Sequence, residues 1–107
     1  MFTRVIELFT KRGKAREVAR TLQDKGLPVM RSQLGLVDDL LLVSDTEPDR
    51  ILVLSIWNSA ENADRYHRRH YPNVKRLIEH CLEVEPVIKT FHVESSMAHR
   101  ISRGRAA

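Results

Sequence analysis

An α+β domain of element order βαββαβ is what this sequence predicts, and three observations carry the prediction. Ile51 to Trp57 (ILVLSIW) is a near-continuous apolar run, the mark of a strand buried on both faces. Two other stretches, after Ala15 and after Ala60, switch to the three-and-four spacing of amphipathic helices. Glycine and proline fall between these segments, at Gly13, Gly26, Gly35, Pro48 and Pro72, where turns and breaks belong.

The first strand is predicted over Thr3 to Thr10, with Val5, Ile6, Leu8 and Phe9 supplying its apolar mass, and Lys11 to Lys14 turns around Gly13. From Ala15, Val18, Ala19 and Leu22 mark one helix face, and Gly26 is expected to end that helix. Pro28 suits a first helical position, so Leu27 to Gln33 reads as a short extension closed by Gly35. A second strand follows over Leu36 to Asp45. The turn TEPD (Thr46 to Asp49) joins it as a hairpin to the third strand, Arg50 to Trp57. Ser59 is a good N-cap with Glu61 in the first turn, which starts a helix over Ala60 to His70. Pro72 breaks it and begins another, striped by Val74, Leu77, Ile78, Cys81 and Leu82. Val84 to Glu94 is the last strand, with Pro86 favouring an edge or entry position.

With right-handed crossovers this order gives a ferredoxin-like, four-stranded antiparallel sheet carrying its helices on one face. The other face also needs cover, because Leu52, Leu54 and Ile56 alternate with Ile51, Val53, Ser55 and Trp57. A second copy is the expected cover, giving a homodimer with a cleft between each sheet and its own helices. The same topology serves RNA recognition when aromatic residues on central strands stack bases. Here those strands carry Leu, Val and Ile, and the chain has only six aromatic residues (one Trp, two Tyr, three Phe), so nucleic acid is not the expected partner.

The length of 107 residues suits one domain able to fold without disulfide or structural metal, placed at 1–94, with a basic tail at 95–107 expected to be disordered. Charged residues at 30% and apolar ones at 42% are ordinary globular values, and the net charge of +4 is interleaved outside RYHRRH (Arg65 to His70) and the tail. The single cysteine excludes an intrachain disulfide, and neither a signal peptide nor a membrane-spanning stretch is evident. A cytoplasmic setting with no membrane partner is therefore the expectation.

The Gly-containing turn KRGK after the first strand, a helix ending near Gly, a turn with Pro, and then ILVLSIW followed by NSAENADRYH together resemble the antibiotic-biosynthesis monooxygenase family of dimeric α/β barrels. The resemblance spans Thr3 to Glu94, and its most specific element is the strand ending in Trp57 followed by a Ser-capped helix bearing His67. It implies a homodimer, a cleft beside each sheet, and oxygenation of a polyphenolic molecule without metal or flavin. Other members degrade haem or isomerise small signalling molecules, and many have no known activity. Two departures stand out. Leu34-Gly35 replaces the usual Pro-Gly, and no Asn lies between Met1 and Thr10, where the haem-degrading branch carries one. Haem thus remains the lesser cofactor reading beside none at all.

On this resemblance Trp57, sharing a strand face with Ser55, is either an aromatic wall for a flat substrate or a packing residue at the dimer interface. His67 is the candidate catalytic base, since imidazole titrates near neutrality and could take a phenolic proton. Ser55, Tyr66 and His70, three residues on from His67, are candidate substrate contacts, against a solvated basic face for His70 and simple packing for Tyr66 and Tyr71. The two histidines lack a third ligand nearby in sequence, so no metal site is expected. Asn58 and Asn62 read as capping residues, Arg31 and Gln33 flank the cleft if the Pro28 helix forms, and Cys81 reads as a small buried hydrophobe. A non-catalytic binding or structural dimer is the rival to the enzyme, because no strong acid/base constellation is present.

Overall fold

The computed structural model describes residues 1–98; residues 99–107, which hold most of the expected basic tail, lie outside the described residues. Four strands, β1 (Phe2–Phe9), β2 (Leu36–Val43), β3 (Arg50–Trp57) and β4 (Val87–His92), form one antiparallel sheet in the order β2-β3-β1-β4. The fold is ferredoxin-like α+β. Between β1 and β2 run α1 (Ala15–Thr21), a π-helical turn (Leu22–Gly26) and α2 (Leu27–Arg31). Between β3 and β4 run α3 (Ala60–Arg69), α4 (Tyr71–Ile78) and a 3-10 turn (Glu79–Cys81). Among the described residues no helix is long and apolar enough to cross a membrane.

Register assigns every side chain of the central strands to a face. Phe2 pairs with Trp57, Arg4 with Ser55, Ile6 with Val53 and Leu8 with Ile51, and since opposed residues point the same way this set forms the inner face. Burial confirms the assignment. Leu8, Ile51, Val53, Ser55 and Trp57 are buried beneath the helices, with Val18, Leu22, Leu27, Met30, Ala63, Tyr66, Val74 and Ile78 completing the core. Each large aliphatic side chain so buried contributes about 1.5–3 kcal/mol.

The outer face has no helix over it. Val5 opposes Leu54, Leu54 opposes Leu40, and Leu52 opposes Leu42, so these residues stand together on that side, flanked by Phe91 opposite Thr3. Leu40 and Phe91 are 47% and 53% exposed. Glu7 breaks the apolar field, held by Lys89 at 2.8 Å and Arg50 at 3.3 Å.

Two local expectations are corrected. Gly26 does not end the first helix: its φ of −85° is right-handed, and the chain passes through it from the π turn into α2. A Cβ there would stand 3.1 Å from Leu22 Cδ2 and from Val74 Cγ1, so this glycine serves close approach of α4 rather than capping. Leu77 does not join the buried stripe and is 39% exposed, because α4 ends at Ile78 and tightens into the 3-10 turn that buries Cys81 and Leu82 instead. Ser59 caps α3 as expected, its hydroxyl accepting from the Asn62 backbone N–H at 3.2 Å. Gly35, at φ +92°, closes the segment before β2.

Candidate functional site

The inner face of the sheet and the helix layer do not close completely on one another. They leave an apolar cavity whose floor is Arg4, Ile6, Val53, Ser55 and Trp57 of β1 and β3. Leu22, Gly26, Leu27 and Met30 form one wall, and Tyr66, Tyr71, Val74 and Ile78 the other. The π turn has a direct part in this, since its wider coil sets Leu22 and Gly26 against the space that α2 continues to line. The cavity is small, about 40 Å³, where sites for drug-sized ligands run to roughly 300–1,000 Å³.

Trp57 forms the most buried part of the floor. Its indole N–H donates to Ser55 Oγ at 2.9 Å, and its ring lies 5.6 Å from that of Tyr66 at an interplanar angle of 32°. The residue belongs to the helix-covered face, so packing on the outer sheet face, where a second copy was expected, is not its role. Burial pushes the Tyr66 phenol up to about 12, with Tyr71 adding to it. The Tyr71 phenol is likewise pushed up to about 12 by burial, aided by Glu85. Both are therefore neutral phenols, able to donate a hydrogen bond at any physiological pH.

Arg4 is the cationic element of the site, and it is nine-tenths buried. One guanidinium nitrogen donates to the Ala63 carbonyl at 3.1 Å and another to Asp64 Oδ1 at 2.9 Å, which ties β1 to α3. Its Nε is sealed from solvent and has no hydrogen-bond partner. Beside it on α3, His67 stacks on Tyr71 at 4.6 Å between centroids and 13° between planes. His67 Nδ1 is also buried without a partner. Burial is the main cause holding this imidazole below its ordinary value; the Arg4 charge adds to the effect and Asp64 opposes it. The ring is accordingly neutral near pH 7, the state a proton acceptor needs.

The structure brings some of the expected residues together and separates others. Trp57, Ser55 and Tyr66 all line the cavity. His67 does not line it directly and reaches it through contact with Tyr71, which does. His70 sits at the junction of α3 and α4, its ring 6.1 Å from Tyr66, and stands outside the lining. Arg31 is engaged elsewhere, gripping the buried Asp39 carboxylate through two bonds of 2.8 and 2.9 Å, while Gln33 bonds back to Val29. Asn58 and Asn62 bond each other at 2.8 Å over Gly35, in keeping with a turn role.

Arg4 is the residue that sequence reasoning missed. The available signal was period two: in FTRVIELF an arginine occupies the same face as Ile6 and Leu8, where a strand buried beneath helices should carry an apolar side chain.

Residues 1–85 match the sequence model of the antibiotic biosynthesis monooxygenases. The chain belongs to this family. No curated protein matches it in sequence. Among solved structures, a protein of Caulobacter crescentus provisionally named an antibiotic biosynthesis monooxygenase is similar at 21% identity and a TM-score of 0.73, covering 84% of this chain and 86% of its own. A Deinococcus radiodurans protein, provisionally named in the same way, superposes with a TM-score of 0.77 at 12% identity, covering 91% of this chain and 96% of its own. Rv0793 of Mycobacterium tuberculosis aligns at 19% identity and a TM-score of 0.72 over 91% of this chain and 99% of its own. At these identities the likeness is one of fold. The antibiotic biosynthesis monooxygenase fold is thus shared along almost the whole described chain.

Proposed function

We propose that this family member binds a small phenolic molecule between its sheet and its helices and oxygenates it without a cofactor. The observation that carries the reading is the Trp57 cavity: an apolar enclosure with a few convergent polar groups, Arg4, Ser55 and Tyr66, backed by a neutral histidine. In this reading Trp57 stacks the substrate ring and Tyr66 and Ser55 orient its oxygens. For His67 to take the phenolic proton, its unpartnered Nδ1 must turn past the stacked Tyr71 ring into the enlarged cavity, which it does not line at rest. The phenolate so formed is electron-rich enough to react with dioxygen. Taking a phenol to a quinone places one oxygen atom on the ring carbon and releases the other as water with the two hydrogens the substrate gives up, so no external reductant is required. The cavity as it stands is too small for a ring, so binding requires the helix layer to draw back from the sheet.

The outer sheet face supports the second part of the proposal, a homodimer in which Leu40, Leu42, Leu52 and Leu54 meet their copies. The single, unpaired cysteine fits a cytoplasmic setting. The tightness of the cavity favours one rival, a dimer without catalysis whose cleft is filled by its own side chains. Haem has less support, since no histidine is among the lining residues to ligate its iron.

The test is oxygen uptake with a panel of activated phenols and hydroquinones, on the wild type and on His67→Ala. Uptake by the wild type that falls at least a hundredfold in the variant, with its mass unchanged, supports the assignment. Equal turnover by both removes His67 from the mechanism, and no uptake with any phenol leaves the non-catalytic dimer.

A further inference from the structure

Away from the cavity, on the helix side of the sheet, three donor atoms of different chemistry converge. Cys81 Sγ lies 3.2 Å from Glu17 Oε2, His80 Nε2 lies 3.5 Å from the same oxygen, and all three ligand atoms are within 4.8 Å of one another. None of these residues lines the Trp57 cavity, and nothing in the proposed chemistry uses them. We propose that Glu17, His80 and Cys81 form a binding site for one divalent transition-metal ion, zinc being the best match to this ligand set.

The argument rests on donor type, spacing and support. Thiolate, imidazole and carboxylate are the three ligand classes zinc takes, and tetrahedral coordination at about 2.0–2.3 Å sets donor atoms roughly 3.3–3.6 Å apart. Two of the three separations already lie close to that range, and the third is within 4.8 Å. The backbone around the pair is fixed. The Lys11 N–H donates to the Cys81 carbonyl at 2.7 Å, Glu83 N–H to the Phe9 carbonyl at 2.8 Å, and Thr10 bridges Leu82. The thiol is buried at 2% exposure, while the Glu17 and His80 side chains are 51% and 68% exposed, so an ion enters from solvent and meets an anchored sulfur. Three protein ligands leave the fourth position to water.

Opposing charges are present too. Lys14 Nζ stands 3.7 Å from the other Glu17 oxygen, and the Lys11 charge acts on the thiol. Both lysines are exposed and can turn outward, and their presence predicts moderate rather than extreme affinity. Binding exchanges the S–H bond for a sulfur–metal bond, and the proton leaves to solvent. The bound ion would pin α1 to the turn that leads into β4.

Untagged protein, freed of metal by a chelator, is titrated with Co²⁺ and then with Zn²⁺ at neutral pH. The expected result is one equivalent per chain, a sulfur-to-cobalt charge-transfer band in the near ultraviolet that zinc abolishes, and release of about one proton per ion. Cys81→Ser should lose the band. His80→Ala and Glu17→Gln, changes at exposed positions that leave the core intact, should weaken binding at least tenfold. The double variant His67→Ala, His70→Ala should bind as the wild type does. Absence of the thiolate band, undiminished affinity in His80→Ala, or loss of binding in the His67, His70 double variant would each overturn the site. The readout is independent of oxygen uptake, so its failure leaves the phenol reading untouched.

Discussion

Replacing Ser55 by alanine removes the acceptor of the Trp57 indole N–H while leaving the indole ring in place. Trp57 is fully buried and its N–H bonds only to Ser55 Oγ among the described residues, at 2.9 Å. A buried donor left without a partner costs its full desolvation penalty, about 1–3 kcal/mol, and in a domain of this size each kcal/mol lowers Tm by about 4–8 °C. The converse change, Trp57→Phe, removes the donor and leaves a small gap beside Tyr66. If the bond exists, the double variant is less destabilised than the two single costs together by about 1 kcal/mol, because neither partner is then orphaned. Urea unfolding followed by far-ultraviolet circular dichroism measures all four proteins without relying on the tryptophan. A Ser55→Ala cost under about 0.5 kcal/mol together with additive energies would refute the reasoning, since it would mean the indole N–H is not confined to this acceptor.

Other outcomes follow from the same geometry. Leu54→Lys sets a charge in the middle of the outer sheet face and should convert a dimer to a folded monomer by light scattering; an unchanged mass would place the interface elsewhere. Gly35→Ala should cost at least about 2 kcal/mol, from the left-handed backbone and from a Cβ that would come within 2.4 Å of Asn62 Nδ2 and 2.7 Å of Asn58 Oδ1. A loss under about 0.5 kcal/mol by urea midpoint would contradict that close approach. His67 has a folded-state value below the unfolded imidazole value of about 6.5, so the unfolded chain takes up the proton first. Its contribution to stability is whole above pH about 6.5 and is lost as pH falls through the folded-state value. Urea midpoints should therefore fall more steeply with acid in the wild type than in His67→Gln, and parallel curves would contradict the half-buried, neutral ring.

Much of this arrangement is legible in the residues themselves. The strand ILVLSIW appears with the expected bounds of Arg50–Trp57, Ser59 caps α3, and Pro72 restarts a helix, because each depends on local physics that the sequence states openly. The π turn was not legible. LQDKG carries no local signal for a widened coil, and Gly26 reads as a stop when its actual reason is the approach of Val74 from a helix 48 positions later in the chain. For the same reason Arg4 and His67 could not be joined from the sequence: Asp64 and the Ala63 carbonyl meet Arg4 across about 60 residues. His80 and Cys81 are neighbours in the chain, yet their meeting with Glu17 is a tertiary event. Sequence periodicity places residues on faces, whereas the site is made where faces from different elements converge.

The central claim is that the cavity at Trp57 takes a small aromatic ligand, and since this is the only tryptophan its fluorescence reports on that cavity alone. Titration with hydroxylated aromatics should quench the emission saturably, at one ligand per chain, and Trp57→Phe should weaken binding measured by calorimetry. A blue emission that no member of the panel perturbs, with calorimetry equally silent, would contradict the claim and make Trp57 a packing residue in a non-catalytic dimer.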